Sequence, residues 1–346
     1  MSDDQSVHGL GPLRDELRRL GLDVKEGHLL ARHTSFKIGG PAALFWEPPS
    51  LAAVLTGLPV IVQAGVPLFA LGLGSNLLVS DRGFDGIVMA TGRGLRQAAV
   101  SETDGHALQV GAGVPLAKAA NLAQQSGLAG LEFAISIPGT VGGAATMNAG
   151  AHGSSFSEVV EELLVFVPGR GVVRMPVESL QYRYRKSRVQ EEPWVVLEAR
   201  LRLAPGSPDA IRSRMQEYMA RRKKTQPVGE KNAGSMFKNP NGHHAGHLLE
   251  AAGVKGWREG GAHISDLHAN FIINDGDATA ADVVALMRRV RQVVFDQFHI
   301  RLVPEVRWVG PHDEDGTRNG NRNEEEGSTW DNLWLREDAG SSAPSA

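Results

Sequence analysis

Between Gly130 and Gly153 the chain reads GLEFAISIPGTVGGAATMNAGAHG, with six glycines, one proline and almost no charge. Glycine adopts backbone angles and tolerates close approaches that a Cβ forbids. An uncharged Gly/Ala/Thr run without periodicity makes a poor helix and a poor strand, so a loop is expected here. Its backbone N–H groups could face a flat ring or a diphosphate that must come very close. A plain glycine-rich connection in a large α/β domain would look the same locally, so other stretches must separate the two readings.

The length of 346 residues allows two domains, or three if one is small. A hydrophobic content of 42% is enough for a sizeable core. There is no cysteine, which excludes disulfides, cysteine-ligated zinc, iron–sulfur clusters and thiol nucleophiles. The N-terminal MSDDQSVHGLGPLRDELRRL has no apolar signal region, and no later run reaches membrane-span length. A cytoplasmic protein without membrane partners is expected. The net charge of −3 is uneven, because residues 311–346 carry nine acids against three arginines. That leaves a mildly basic body, compatible with anionic ligands.

In chain order, an amphipathic helix and short strand are expected over 8–30, then a tight GGP turn within HTSFKIGGPAALFWEP (33–48). SLAAVLTGLP (50–59) reads as a helix, and residues 66–91 as strand, glycine loop, strand and a turn at 83–86. The GLGSN loop (72–76) matches only G-x-G and enters another strand, so it fails the context required of a Rossmann fingerprint. PLAKAANLAQQSGL (115–128) is a helix with a glycine stop. A hairpin over 160–176 turns at Gly-Arg-Gly, and a strand follows at 194–203. Helices are expected over 208–224 and 243–253, and a second unit comprises AHISDLHANFIIND (262–275), a helix over 278–298 and a closing strand over 300–310. From Pro311 the chain is polar and acidic and is expected to be disordered, with WDNLW (330–334) as a docking motif or a tail remnant.

Several constellations could carry chemistry. Tyr184, Arg185 and Ser187 lie in YRYRKS (182–187), beside the start of a strand. An alternating aromatic/basic stretch is commonly a solvated face, but one arginine turned inward would hold a carboxylate or a developing negative charge bidentately. Ser235 sits in the Gly-flanked loop GSMFKNP (234–240) without a G-x-S-x-G elbow. It is either a turn residue or a positioned proton donor. Glu305, within the apolar VPEVRW (303–308), is either at a solvated edge or held in a site. His243, His244, His247 and Glu250 share one expected helix, but no further metal motif accompanies them, and no metal is expected. The ARRKK run (220–224) is read as a complement to the helix dipole, with no nucleic-acid partner.

Taken together, these pieces resemble the UDP-N-acetylenolpyruvoylglucosamine reductases of bacterial cell-wall synthesis. The resemblance is carried by HTSFKIGGPA (33–42), LGLGSNLLVSDRGFDGIVM (71–89), the glycine run (130–153), YRYRKS (182–187), NAGSMFKNP (232–240), AGHLLEAAGVKG (245–256), HISDLHANFIIN (263–274) and LVPEVRWVG (302–310). It implies an α+β fold: an FAD-binding fold of the vanillyl-alcohol-oxidase (PCMH) type with two α+β subdomains, plus a separate α+β substrate-binding domain. The implied organisation is an N-terminal helix (1–24), an FAD-binding domain (25–207), a substrate-binding domain (208–300), a closing strand carrying Glu305 (301–310) and the acidic tail (311–346).

The resemblance also implies non-covalent FAD, held by Gly72, Gly74, Ser75, Asn76, Pro138, Gly139, Thr140, Gly142 and Gly143. NADPH would reduce the flavin and leave, and flavin N5 would then deliver hydride to C3 of the enolpyruvyl substrate. Arg185, Glu305 and Ser235 take the catalytic roles by family position, Ser235 as donor of the proton to C2, with Tyr184, Lys238 and Asn239 as substrate contacts. A monomer is expected. Only six residues (188–193) separate Ser187 from Trp194, which leaves no room for the substrate-loop insertion of the longer subtype. Ala43 stands where the family commonly has Asp after GGPA, and nothing in the pattern matches the tail.

Two other classes of function stay in view. A flavin oxidase of a sugar or alcohol on the same fold commonly holds FAD through His or Cys, and Cys is absent. A non-enzymatic nucleotide-binding module gives no reason for an arginine, a serine and a glutamate at family positions.

Overall fold

The computed structural model describes residues 5–101 and 103–311. The expected acidic tail, apart from Pro311, and the WDNLW motif lie outside the described residues. Within them the chain forms two compact units, one of 5–28, Ala42–Ser75 and Gly86–Glu230, the other of Leu29–Pro41, Asn76–Asp85 and 231–311.

The first unit holds two larger sheets beside two short two-stranded pairs, Gly150–Ala151 with Ser154–Ser155 and Leu128–Ala129 with Ala204–Pro205. One larger sheet has four strands in the order Val24–Leu29, Pro41–Trp46, Phe84–Ala90, Leu68–Leu71, the last two parallel. The other is a five-stranded antiparallel sheet, ordered Gly171–Pro176, Val160–Val167, Val195–Arg202, Ala107–Gly111, Ala98–Val100. The hairpin at Gly-Arg-Gly forms as expected, with Val167 paired to Gly171. Helices α1 (Gln5–Arg19), α2 (Leu51–Gln63), α3 (Leu116–Gln125), α4 (Val141–Met147) and α5 (Pro208–Thr225) belong to this unit. In α3 the buried residues Leu116, Ala119, Ala120 and Ala123 fall on one face at helical spacing. Helix α2 is longer than expected, running past Pro59, and is capped by Ser50, whose hydroxyl accepts from the Ala53 N–H at 3.2 Å. It lies against buried Trp46 at Gly57, where an added Cβ would stand 2.5 Å from the indole.

In the glycine run the expectation of a loop is corrected over seven residues, because α4 is helical. Thr140 caps it, its Oγ1 accepting from the Gly143 N–H at 3.3 Å, and Asn148 ends it in the left-handed conformation. The glycines that argued against a helix are needed for packing: a Cβ on Gly142 would sit 2.9 Å from Ala112 Cβ.

The second unit contains the parallel pair Leu77–Val79 and Arg307–Val309, a three-stranded antiparallel sheet (Arg258–Glu259, Ala262–Ile264, Ile272–Asn274), and helices α6 (Ala245–Ala251) and α7 (Ala280–Phe298). Helix α7 opens with a capping box, Thr279 and Asp282 each accepting from the other's backbone N–H. Asp81, from the SDRG turn, also accepts from the N–H groups of Ala280 and Ala281. Buried Val283, Met287, Val290 and Val294 turn one face of α7 into the core of this unit. Of the stretch 300–310, only Arg307–Val309 is a regular strand. Pro304 has no N–H to give a ladder, and it makes only an isolated antiparallel bridge with Phe237.

Candidate active site

In the first unit the two glycine loops meet. Ser75 Oγ donates to the Pro138 carbonyl at 2.8 Å. A Cβ on Gly72 would lie 2.5 Å from Thr140 Oγ1, and one on Gly139, whose φ is 145°, would lie 3.4 Å from Ser75 Oγ. The loops close on each other because neither glycine carries a side chain, which leaves a surface made of backbone. Such a surface fits a diphosphate or a flat ring. Part of the run serves the protein itself: the N–H groups of Val141 and Gly142 donate to Val114 and Ala112 carbonyls, both at 2.9 Å. Gly74 is buried in the same loop as Gly72.

YRYRKS is a tight turn, not the flank of a strand: Arg183 and Lys186 exchange backbone hydrogen bonds at 2.9 and 3.1 Å, with Tyr184 and Arg185 at the apex. Arg185 has a φ of 53°, a conformation that disfavours any residue with a Cβ. It is held there from several sides. Gln190 donates to the Arg185 carbonyl at 3.2 Å, Asn148 to the Arg183 carbonyl at 3.0 Å, and buried Ser187 to the Thr146 carbonyl at 2.6 Å. The guanidinium Nη2 of Arg185 donates to the Gly150 carbonyl at 2.9 Å. Tyr184 is 53% exposed, and its ring centroid lies 5.1 Å from the guanidinium carbon of Arg185.

Gly150 belongs to a two-residue hairpin whose turn residues, His152 and Gly153, both have positive φ. His152 lies in no motif that marks it in the sequence. Its ring stacks on Tyr218 at 4.0 Å and its Nε2 lies 2.9 Å from Ser136 Oγ. Burial, then Arg221 and Arg222, hold this imidazole below its ordinary range. Only its place in the GAHG turn of an otherwise uncharged run could have signalled it.

In the second unit the segments of Ser235 and Glu305 run antiparallel. The Glu305 N–H donates to the Met236 carbonyl and the Lys238 N–H to the Val303 carbonyl, both at 2.8 Å. This sets Glu305 opposite Met236, one residue from Ser235. Ser235, Lys238 and Glu305 are all half-buried. Asn76 also reaches this segment, its side-chain amide donating to the Glu305 carbonyl at 3.1 Å while its own carbonyl accepts from the Arg307 N–H. Asn239 uses Oδ1 to accept from the Ala245 N–H at the start of α6. The histidine group changes with that helix start: His243 and His244 precede α6, and Glu250 is paired with Lys255.

Against known proteins, residues 42–175 match the model of an FAD-binding domain, and residues 226–309 that of the UDP-N-acetylenolpyruvoylglucosamine reductase C-terminal domain. A UDP-N-acetylenolpyruvoylglucosamine reductase of Halalkalibacterium halodurans is 40% identical over 86% of this chain and 98% of its own. One from Anoxybacillus flavithermus is 41% identical with the same coverage.

The chain belongs to the UDP-N-acetylenolpyruvoylglucosamine reductase family.

The crystal structure of a UDP-N-acetylenolpyruvylglucosamine reductase from Thermus caldophilus is similar over 83% of this chain and 98% of its own, with 35% identity and a TM-score of 0.69. The fold is accordingly the α+β FAD-binding type, and the protein is an FAD-dependent oxidoreductase. Membership of this family favours the reductase over the oxidase reading.

Proposed function

We propose that the protein reduces UDP-N-acetylglucosamine enolpyruvate to UDP-N-acetylmuramate with NADPH as electron source, in the supply of peptidoglycan precursors. The observation that carries this reading is the similarity to reductases of that name over nearly their whole length. FAD, when bound, supplies the chemistry of accepting hydride from NADPH and passing it to the substrate. FAD is assigned to the unit that holds the glycine loops, with the backbone of Gly72, Gly74, Pro138, Gly139 and Thr140 as the surface for the cofactor. The expected bounds 25–207 and 208–300 shift, because α5 and the residues up to Glu230 belong to that first unit and Leu29–Pro41 and Asn76–Asp85 to the second.

The chain's own residues then have three tasks. Hydride arriving at C3 leaves negative charge on C2 and the adjoining carboxylate. Arg185 meets that charge with a planar fork of donors, of which Nη2 is oriented by Gly150. Ser235 delivers the proton to C2, and Glu305, opposite Met236 on the paired segment, is the acidic partner of that step. These groups help because the developing charge interacts with them more strongly than the ground state does. Lys238 contributes a point charge toward the substrate's diphosphate or carboxylate, and Tyr184 an aromatic surface. The protein is read as a cytoplasmic monomer; among the described residues no helix is long and apolar enough to cross a membrane.

The test is NADPH oxidation coupled to the enolpyruvyl substrate. The expected outcome is stoichiometric product two hydrogens heavier than the substrate. NADPH consumption that proceeds only with oxygen and leaves the enolpyruvyl group intact would overturn the assignment.

A further inference from the structure

The segment that bears Ser235 has two hydrogen-bonding edges. One faces residues 303–305, through the Met236 carbonyl and the Lys238 N–H. The N–H and C=O of Phe237 therefore point the opposite way, as alternate residues of an extended chain must. Phe237 is 2% exposed, so both groups would be buried without partners, a costly arrangement.

The side chain of Asn270 fills that need. Its Oδ1 accepts from the Phe237 N–H at 3.0 Å and its Nδ2 donates to the Phe237 carbonyl at 2.8 Å. Its own carbonyl accepts from the Met236 N–H at 2.9 Å. Asn270 is 3% exposed, and its backbone N–H donates to His268 Nδ1 at 3.2 Å. One buried amide thus stands in for a neighbouring strand. A primary amide offers an acceptor and a donor side by side at every pH, which a carboxyl does only while protonated.

We infer that Asn270 is a positioning residue for the proton-transfer step: by clasping Phe237 it fixes the register in which Ser235 and Glu305 are presented. The inference rests on the reading of Ser235 as proton donor. Asn270 touches neither substrate nor cofactor in this account. Its loss should therefore slow oxidation of the reduced flavin by the enolpyruvyl substrate and leave flavin reduction by NADPH unchanged.

The test is N270D, measured as two separate anaerobic half-reactions across pH, each rate divided by that of the wild type at the same pH. A carboxylate keeps the acceptor for Phe237 N–H but sets an oxygen against the Phe237 carbonyl. A protonated carboxyl restores the donor, and burial favours that neutral form. The expected result is reoxidation slowed about 100-fold at pH 8, the scale of a small misplacement of reacting groups, and largely recovered near pH 5.5. Flavin reduction stays at the wild-type rate throughout. Wild-type reoxidation at every pH would overturn the inference. So would equal slowing of both half-reactions, or failure of N270D to yield folded flavoprotein, since either would make Asn270 a residue of general stability. S235A separates the two claims: if its reoxidation is normal, the proton-donor reading fails whatever N270D does.

Discussion

The backbone N–H of Glu305 donates to the carbonyl of Met236 at 2.8 Å, although the two residues are far apart in the chain. A carboxylate in a closing segment and a serine in a glycine-flanked loop are thereby brought to adjacent positions by one bridge. The bridge lies wholly within the second unit.

Ser235→Ala should divide the reaction in two. Bleaching of the flavin by NADPH is expected at the normal rate, while oxidation of the reduced flavin by the enolpyruvyl substrate falls by about 10²- to 10⁴-fold. Stopped-flow absorbance of the flavin measures both. Normal turnover would remove Ser235 from the mechanism.

Arg185 combines an unfavourable backbone angle with a charge that only its side chain supplies. Arg185→Lys should slow the second half-reaction by about 10²-fold or more, because an ammonium cannot reproduce the fork. Arg185→Gly and Arg185→Ala should be at least as inactive yet differ in stability. The glycine variant is expected to be about 1 kcal/mol more stable than the alanine variant, since only glycine adopts a φ of 53° without a steric cost. Paired thermal melts check this.

Gly72→Ala should act on cofactor retention. Its methyl group would stand 2.5 Å from Thr140 Oγ1 and force the two loops apart. A stability loss of about 1–3 kcal/mol is expected, with a lower flavin-to-protein ratio after purification. Full flavin content would show that this contact does not shape the FAD surface.

His268 gives a pH dependence with a definite sign. Burial holds its imidazole below the ordinary range, and Nδ1 must stay unprotonated to accept from the Asn270 N–H. The folded state binds the proton more weakly than the unfolded chain, whose histidine titrates near ~6.5. The stabilisation is therefore present above about pH 6.5 and is lost as pH falls through the lower folded value. Melting temperature should drop between pH 7.5 and 5.5. The drop should be smaller in His268→Asn, whose side-chain oxygen can accept the same bond without titrating.

Much of this arrangement was legible in the sequence because it rests on local rules. Helices α3 and α7 announce themselves by periodicity, and α3 also by its glycine stop. The Gly-Arg-Gly hairpin follows from turn chemistry. The short helix α4 was hidden, because its glycines serve contacts with Ala112 that only the folded structure reveals. The role of Asn270 was hidden for a similar reason: HISDLHANFIIN contains the residue, but nothing local says that its amide meets Phe237. The left-handed angle at Arg185 was illegible too, since surrounding hydrogen bonds impose it against the residue's own preference. The catalytic candidates themselves came from resemblance to a family, because an arginine, a serine and a glutamate have no chemistry in isolation that marks them out.

The most direct test of the central claim is an anaerobic titration of the purified flavoprotein. NADPH should bleach the flavin absorption, and UDP-N-acetylglucosamine enolpyruvate, added without oxygen, should restore it while forming UDP-N-acetylmuramate. Bleaching that only air reverses would contradict the account, and so would a purified protein that neither contains nor binds FAD.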